Sequence, residues 1–421
     1  MIKKLENLLK SYYLCDHCLG RLFAQLLTGL TNEERGRIIR NFLAMLYEAG
    51  KIKILKENLY GVNLRKKVKI EKPVCFICKN FFEEKLDKVI ERVLKVAKEY
   101  EFNTFLIGCK PTEEMLANEE KIWEIFGAEY AESIRSEINR EIGKRLEKIL
   151  EKKVDKKRPD ITFIINLKNL AIQKNIKSLF VFGGYKKLVR GIPQAKWYCP
   201  KCKGKGCVYC KGKGKLYPTS VQEIIEKPLI KATKARKTRF HAEGREDIDA
   251  KCLDYRPFII ELVKPKKRKI DLKKIEREIN KSKKVKVKGL KFVEKGLIKF
   301  LKNQKSEKTY EAIVTFRKKV DEEKLKKLKI LEKIPIKQRT PLRVLHRRAD
   351  KLRIKRVRKI SWKVLSKRKV IFKIRCEAGT YVKELINGDR GRTLPSISEI
   401  IGNEPIKIEL DVIKIHSPFK P

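Results

Sequence analysis

The chain has 421 residues and a formal net charge of +53, because 105 lysines and arginines stand against only 52 acidic residues. At about 150 residues per domain, this length predicts two or three domains with cores of their own. A hydrophobic content of 42% excludes a disordered chain and a small disulfide-stapled scaffold. Such an excess of positive charge indicates a polyanionic partner.

The sequence predicts a cytoplasmic protein with no membrane partner. No stretch approaches the roughly 18 uninterrupted apolar residues of a membrane span, and the start, MIKKLENLLKSYYLC, is charged, unlike a signal peptide. Because the cytoplasm is reducing, the 11 cysteines are expected to bind metal rather than to form disulfides. The four histidines are scattered, which argues against a His-based zinc hydrolase and a Ser/His/Asp hydrolase.

The first half of the chain predicts mixed α/β structure. Residues 1–50 are expected to be helical, with Thr31 and Glu34 spaced as a capping box and Gly50 as the stop. A further helix is expected over FFEEKLDKVIERVLKVAKEY, where apolar residues recur at helical spacing. Beyond it, the apolar runs NTFLIGC, ITFIINLK and IKSLFVFGG predict strands, and SIRSEINREIGKRLEKILEKK predicts a charged helix.

A Gly- and Lys-rich segment near residues 203–215 is interpreted as the hinge between halves. This places an N-terminal accessory domain at 1–215 and a second domain at 216–421. In the second half the runs FIIELV, VKVKGLKFV, YEAIVTF, VIFKIRCEAGTYV and IKIELDVIKIH predict strands of a large, mainly antiparallel sheet, and KPKKRKIDLKKIEREINKSKK predicts one exposed helix. The expected fold class is α+β.

Eight of the cysteines form CxxC pairs. The first two pairs supply the four thiolates of a closed, structural zinc site, although they could instead be two unrelated buried thiol pairs. The last two pairs lie in a glycine-rich loop that predicts a second zinc site, or else a mobile basic strap that closes over RNA. The first set is Cys15, Cys18, Cys75 and Cys78, and the second is Cys199, Cys202, Cys207 and Cys210.

Three short motifs in the second half carry candidate chemistry. The turn GRED at 244–247 places the carboxylate of Asp247 on a loop beside Arg245, although an Asx turn ahead of a strand explains it equally well. The run SEKTYEAIVTF places Tyr310 on a strand, where its ring could stack on a base and its hydroxyl reach a proton. In AGTYVKEL, a glycine turn leads into a helix that carries Lys383 as a cation and Leu385 as an apolar plug.

GRED, KTYEA and AGTYVKEL resemble the three active-site motifs of pseudouridine synthases, and QRTPLRVLHRRADKLR is similar to a segment of the branch that acts on the tRNA T-loop. In the first half, CDHCLGRLFAQLLTGLTNEERG, INREIGK, RPDITFIINLKNL and FGGYKKLVRGIPQ resemble the THUMP-containing accessory domain of the archaeal and eukaryotic "Pus ten" family, at about residues 60–190. The resemblance spans nearly the whole chain. It implies a tRNA pseudouridine synthase, an isomerase that needs no organic cofactor.

The resemblance also implies roles for single residues. Asp247 takes the position of the nucleophile or base that acts on the ribose, and Lys383 that of the cation that keeps it ionised. The assignment to Asp247 rather than Asp249, two residues on, depends on the register of the motif.

Four further residues are expected to bind substrate. Tyr310 matches the stacking tyrosine, and Leu385 the apolar residue that packs against the target base. Tyr381 lies in the same motif, and Arg245 would fill the gap left when a nucleotide leaves the stack.

The substrate expected from the resemblance is tRNA, held by its acceptor end and T-arm, with the T-loop uridines conventionally numbered 54 and 55 as targets. A monomer is expected because nothing in the sequence indicates otherwise. Two other hypotheses stay open at the level of sequence. One is a different THUMP-bearing enzyme, a methyltransferase or a thiolase, although the chain lacks the GxGxxG and GxxxxGK[ST] frameworks that bind nucleotides. The other is a non-catalytic RNA-binding protein, since positive charge alone explains phosphate binding.

Overall fold

The computed structural model describes residues 1–66 and 68–419. The chain forms two compact units, Met1–Lys177 and Ser178–Pro421. The segment after Lys177 belongs to the second unit because the strand Leu179–Lys187 pairs on both edges with strands of that unit. The division therefore differs from the boundary expected near residue 215, which followed a change of composition rather than strand pairing.

The first unit is a mixed α/β structure. Its elements are α1 (Ile2–Leu9), α2 (Asp16–Gly20), α3 (Asn32–Glu48), α4 (Phe81–Glu84), α5 (Leu86–Ala97), β1 (Thr104–Lys110), α6 (Glu113–Phe126), α7 (Ile134–Leu150), β2 (Lys153–Val154), β3 (Ile161–Asn166) and β4 (Ala171–Ile176). The strands form a four-stranded sheet in the order β2-β1-β3-β4. Pairing is parallel between β2 and β1 and between β1 and β3, and antiparallel between β3 and β4.

Helix α3 begins where the capping box predicted. The Thr31 hydroxyl accepts a hydrogen bond from the backbone N–H of Glu34, and the Glu34 carboxylate accepts one from the backbone N–H of Thr31. The helix ends at Glu48, two residues before Gly50. The prediction of a helix with this start is confirmed.

Helices α2 and α3 approach so closely that their contact admits only glycine. A Cβ on Gly20 would lie 1.8 Å from the carbonyl oxygen of Asn32, and one on Gly36 would lie 1.9 Å from that of Asp16. Both clashes involve backbone atoms, which cannot move aside as a flexible side chain can. Because Cys18 lies on α2, this contact also sets the position of one cysteine of the first quartet.

The second unit is built on a large, mainly antiparallel sheet, as the sequence predicted. Its elements are β5 (Leu179–Lys187), α8 (Val221–Thr233), β6 (Lys237–Ala242), β7 (Lys251–Val263), α9 (Leu272–Ile279), β8 (Val285–Phe292), α10 (Leu297–Asn303), β9 (Lys308–Phe316), α11 (Glu322–Lys326), α12 (Ile330–Lys333), β10 (Ile336–Gln338), β11 (Arg353–Lys355), β12 (Val357–Ser366), β13 (Lys369–Cys376), α13 (Val382–Asn387), β14 (Thr393–Leu394), α14 (Ile397–Ile401) and β15 (Pro405–Ile415).

The eight-stranded sheet has the order β12-β13-β9-β15-β7-β5-β8, with β6 paired to β7. Its ladders are antiparallel except between β15 and β7, where Asp411 pairs with Lys251 and Val412 with Cys252. This short parallel contact joins the two halves of the sheet. It also brings the start of β7, just after the GRED motif, beside β15, whose other edge pairs with β9.

One predicted helix is much shorter than expected. Of the run KPKKRKIDLKKIEREINKSKK, only α9 is helical, and Ile275 and Ile279 are buried. The helix begins after Asp271, whose side chain accepts a hydrogen bond from the backbone N–H of Lys274. The lysine run ahead of it has no apolar face to bury, so it does not extend the helix.

Among the described residues, no helix has the length and apolar character needed to cross a membrane.

Replacement of Gly36 by alanine is expected to destabilise the first unit by about 3 kcal/mol, the upper end of ordinary overpacking, because the new methyl group overlaps the Asp16 carbonyl. Urea unfolding followed by circular dichroism measures the change. The matched control is Gly143→Ala in α7, where the nearest atom, Val154 Cγ2, lies 3.9 Å from the added Cβ. Alanine there is expected to be neutral or stabilising by up to about 1 kcal/mol, and equal effects of the two changes would contradict the close contact.

Candidate active site

The GRED motif forms the loop between β6 and β7. Gly244 has a φ of +70°, a conformation that glycine adopts without strain. Burial then alternates along the loop: Arg245 is exposed, Glu246 is buried and Asp247 is half-buried. The loop therefore offers Arg245 and Asp247 to a ligand, and Glu246 holds it to the protein.

Glu246 anchors the loop in a buried polar network. Its carboxylate accepts a hydrogen bond from the Tyr185 hydroxyl at 2.9 Å, and Oε2 lies 3.1 Å from Nε of the buried Arg256. Gln194 donates both to the Tyr185 hydroxyl, at 2.7 Å, and to the carbonyl of Gly244, at 2.9 Å. A buried and paired carboxylate suits a structural role better than a chemical one.

Lys187 holds the next part of the loop. Its fully buried ammonium donates to the carbonyls of Ile192 at 2.9 Å, Asp247 at 3.0 Å and Ile248 at 3.1 Å. Burial lowers the pKa of Lys187 below its ordinary value. Sequence reasoning missed this residue, because two of its three contacts lie some 60 positions away and nothing local distinguishes it from other lysines.

Two cations face Asp247. Nη2 of Arg343 lies 3.1 Å from Asp247 Oδ2, and Nζ of Lys383 lies 3.9 Å from the same oxygen. Arg343 also donates from Nε to the buried carboxylate of Glu384 at 2.6 Å. Lys383 donates to Asp249 Oδ2 at 2.6 Å. The site thus contains three carboxylates and two cations in one network.

This arrangement differs from the expected pairing of Asp247 with Lys383. The nearer partner of Asp247 is Arg343, and the nearer partner of Lys383 is Asp249, because Lys383 in the first turn of α13 reaches Asp249 at shorter range. Arg343 lies in the segment 338–353 that resembles the T-loop branch, but nothing in that segment marked it among five arginines.

The contact with Lys383 lowers the pKa of Asp249. Burial by itself would raise the pKa of Asp249, but the hydrogen bond and the charge of Lys383 outweigh it, so the pKa lies below its ordinary value. The carboxyl groups of Asp247 and Asp249 therefore each face a cation, Arg343 and Lys383 respectively.

A cavity of about 310 Å³ opens beside Asp247. It contains most of the residues predicted to act in the site, drawn from the GRED loop, β9, α13 and the segment 343–355. The lining residues are Gly244, Arg245, Glu246, Asp247, Ala250, Lys308, Tyr310, Arg343, Val344, Arg348, Arg353, Lys355, Gly379, Thr380, Tyr381, Val382, Lys383, Leu410 and Val412. Residues of all three motifs thus line one concave site.

Tyr310 and Tyr381 both line this cavity. Burial raises the pKa of Tyr310, so its phenol stays protonated at neutral pH. The Tyr381 hydroxyl accepts a hydrogen bond from Nη1 of Arg348 at 2.8 Å, and its backbone is held by the side chain of Gln338. Two aromatic rings with fixed backbones therefore flank the space beside Asp247.

Leu385 does not join them. Its side chain is fully buried in the core under the sheet and is not among the residues that line the cavity. The apolar part of the lining comes instead from Val344, Val382, Leu410 and Val412. Leu385 lies two residues after Lys383 on α13, which is about 200° around the helix axis, so Leu385 points into the core while Lys383 faces the cavity.

Lys308 is a further lining residue that sequence reasoning missed. It lies on β9 two positions before Tyr310, and residues two apart on a strand share a face. Burial, together with repulsion from Arg256, lowers the pKa of Lys308 to about 8. The period-two spacing in KTY was the signal that could have identified it.

The first cysteine quartet lies in the first unit and the second in the second unit. In each, the four sulfur atoms lie within 4.8 Å of one another. Cys15, Cys18, Cys75 and Cys78 are all buried, with the Sγ atoms of Cys15 and Cys78 3.5 Å apart. Both quartets could hold a metal ion.

The second quartet is built from two similar turns. Three of its Sγ pairs lie 3.8 Å apart, Cys199 with Cys207, Cys202 with Cys210, and Cys207 with Cys210. Backbone N–H groups donate to these sulfurs, among them Gly214 to Cys210 at 3.1 Å. A tetrahedral ion with metal–sulfur distances of about 2.3 Å separates its ligands by about 3.8 Å, so this geometry fits zinc.

Comparison with known proteins identifies the family. A family model described as "Pus10, C-terminal" matches residues 180–416, more than half of the chain, and one described as "Pus10 THUMP domain, archaeal" matches residues 89–166. The chain belongs to the Pus10 family. The Pus10 C-terminal match begins next to the division between the two units, and the Pus10 THUMP match lies inside the predicted range 60–190.

Full-length Pus10 relatives agree with this assignment. Proteins named tRNA pseudouridine synthase Pus10 are 45% identical in Methanocaldococcus jannaschii, over 97% of this chain and 93% of that protein, and 42% identical in Methanopyrus kandleri, over 98% of each. The protein of that name in Pyrococcus furiosus is 37% identical over 99% of this chain and 98% of its own length. Among solved structures, a Cbf5-Nop10-Gar1 complex matches with a TM-score of 0.30 and 18% identity, over 55% of this chain and 48% of that chain. The family predicted from the motifs is confirmed.

Replacement of Lys383 by methionine is expected to raise the pKa of Asp249, because it removes the cation that stabilises the ionised form. Carboxyl ¹³C NMR of aspartate-labelled protein measures the titration midpoint. The control is Lys355→Met, another cavity-lining lysine, whose Nζ donates to the carbonyl of Ala378. An unchanged midpoint in the Lys383 variant would show that this ion pair does not set the protonation of Asp249.

Proposed function

We propose that this chain isomerises uridine to pseudouridine in the T-loop of tRNA, with Asp247 acting on the ribose of the target. The observation that carries the proposal is the position of Asp247 beside two cations at a cavity shared with Tyr310. Relatives in the Pus10 family carry the name tRNA pseudouridine synthase over nearly their whole length.

The reaction rearranges one nucleoside and needs no organic cofactor. The bond between N1 and C1′ breaks, the freed base turns, C5 bonds to C1′, and the proton lost from C5 is balanced by one gained at N1. An ionised Asp247 can attack C1′ or remove a proton from C2′, and both routes need the charged carboxylate. Arg343 and Lys383 place positive charge beside that carboxylate, with Nη2 and Nζ 3.1 and 3.9 Å from Oδ2.

Tyr310 is proposed to stack under the uracil. Its half-buried ring lines the cavity, and a protonated phenol can donate to the base or relay a proton without carrying charge. Arg245, exposed on the loop, is proposed to occupy the space that the target base leaves in the RNA. Tyr381 is proposed as a second aromatic contact of the everted nucleotide.

The tRNA is proposed to bind through its backbone charge and its unpaired T-loop bases. A net charge of +53 supports a strong, salt-dependent grip on phosphates, and single-stranded loops expose bases that can be turned out and stacked. We propose that the THUMP region holds the acceptor end and that the enzyme acts as a monomer.

The variant Asp247→Asn is expected to lose pseudouridine formation by at least about a thousandfold, because the amide keeps the shape of the side chain but neither attacks a sugar nor takes a proton. The variant Asp249→Asn is the matched control and is expected to retain activity within about tenfold. Pseudouridine is mapped on an unmodified tRNA transcript incubated with each protein.

Retention of the parent rate by Asp247→Asn would remove the assignment of this residue. Binding of tRNA with no pseudouridine formed by the parent protein would instead favour a non-catalytic RNA-binding role. Modification at positions outside the T-loop would contradict the proposed substrate while leaving the reaction intact.

Each cysteine quartet is proposed to hold one structural zinc ion. Four thiolates close a tetrahedral site and leave no position for a water, so the metal would support the fold rather than the reaction. In the first unit it would tie the segment before α2 to the segment before α4.

Elemental analysis is expected to find two zinc ions per chain, and one in each of Cys18→Ser and Cys202→Ser, since each change removes a ligand from a different quartet. Cys109→Ser, a buried cysteine outside both quartets, is the control and should keep two. A parent protein purified without chelator and free of zinc would contradict both sites.

A further inference from the structure

A second cavity, of about 260 Å³, adjoins the first. The two share Arg245, Glu246, Asp247, Arg343 and Lys383. The second has none of the cavity residues of β9 and is lined instead by the segment that leads into the second cysteine quartet. Its remaining lining residues are Pro193, Gln194, Ala195, Trp197, Ile248 and Asp249.

The wall formed by residues 193–197 is fixed at several points. The carbonyls of Pro193 and Gln194 accept hydrogen bonds from the first residues of α8, at 3.0 and 2.9 Å, and the carbonyl of Trp197 accepts one from Leu216 at 3.0 Å. The Trp197 and Tyr217 rings pack in a T-shaped arrangement, with centroids 5.6 Å apart and an interplanar angle of 82°. The half-buried indole is therefore held in place before any ligand arrives.

The character of this cavity suits a nucleobase. Its own lining is largely apolar, from Pro193, Ala195, Trp197 and Ile248, and cations stand at the part that it shares with the first cavity. Any of the four bases can stack on an indole ring, and cations beside a stacked base suit the phosphate attached to its nucleotide.

The place of the cavity points to one nucleotide. If the ribose of the reacting uridine lies at Asp247, the next nucleotide of the RNA chain lies one phosphodiester away. Arg343 and Lys383 border both cavities, so they can face the phosphate that joins the two nucleotides. A base displaced from the loop together with the target would then enter the second cavity.

Resting on the proposed function, we infer that the second cavity binds the base of the nucleotide next to the reacting uridine, stacked on Trp197. The site is distinct from the catalytic cavity because it lacks Tyr310 and Lys308. It would recognise the RNA by stacking rather than by a base-specific hydrogen-bond pattern.

The test uses two unmodified tRNA transcripts that carry 2-aminopurine on either the 5′ or the 3′ side of the target uridine. With the full-length protein, one of the two is expected to lose fluorescence on binding, since 2-aminopurine is quenched when it stacks. Trp197→Ala should remove that quenching, and Trp197→Phe should restore most of it. Tyr209→Ala is the control, an exposed aromatic residue of the same region that lines neither cavity.

A second measurement combines Trp197→Ala with an abasic nucleotide at the position where 2-aminopurine is quenched. The abasic nucleotide should weaken binding to the parent protein by about 10-fold to 100-fold, the range of a stacked base, and should not weaken binding to Trp197→Ala further. Circular dichroism and zinc content matching the parent show that the variant is folded.

Failure of this inference can be told from failure of the proposed function. If pseudouridine forms but neither neighbouring 2-aminopurine is quenched, or if quenching survives in Trp197→Ala, the inferred base site is wrong and the proposed enzymatic activity stands. Quenching that depends on Trp197 in a protein that forms no pseudouridine supports the base site and removes the catalytic assignment.

Discussion

The candidate site depends on the immobility of one loop. Asp247 is half-buried beside a cavity, and its loop is held by Glu246 against Arg256 and by Lys187 on two loop carbonyls. Burying these charges costs free energy that their pairing only partly offsets, so they are poor candidates for raising stability. They are better understood as fixing position: a carboxylate that must meet one ribose atom gains more from a rigid backbone than from another apolar contact.

The same network explains which parts of the site the sequence could predict. GRED, KTYEA and AGTYVKEL are short motifs whose members are neighbours in the chain, so a linear reading finds Asp247, Tyr310 and Lys383 together. Lys187 and Arg343 act across 60 and 96 positions, and each resembles many other basic residues in a chain that has 105 of them. Leu385 was assigned to the cavity because it is a member of a motif. Whether a residue of a helix faces the cavity or the core depends on helical periodicity, which a match to a motif does not take into account.

Much of the fold was predictable because strands of a half-buried sheet alternate in burial, as β13 does from Lys369 to Cys376. The division of the chain into two units was not predictable, because it depends on which strands pair with one another. Strand β5 follows a strand of the first unit after two residues, yet its hydrogen bonds go to β7 and β8. Composition changes at the cysteine loop, but that loop lies inside the second unit, between β5 and α8. Local pattern predicts that a strand exists and leaves open which sheet it joins.

The charge of the chain acts differently at the surface and at the site. Over the whole protein, positive charge is in large excess and suits a polyanion. Around Asp247 the charges instead balance closely, with Asp247, Asp249 and Glu384 set against Arg343 and Lys383 within hydrogen-bonding or ion-pair distance. The cavity beside this network is lined by more basic side chains than carboxylates, since it has seven of the former, Arg245, Lys308, Arg343, Arg348, Arg353, Lys355 and Lys383, and two of the latter, Glu246 and Asp247. The paired charges fix the position of Asp247, and the excess of positive charge along the cavity suits the phosphates of a bound RNA.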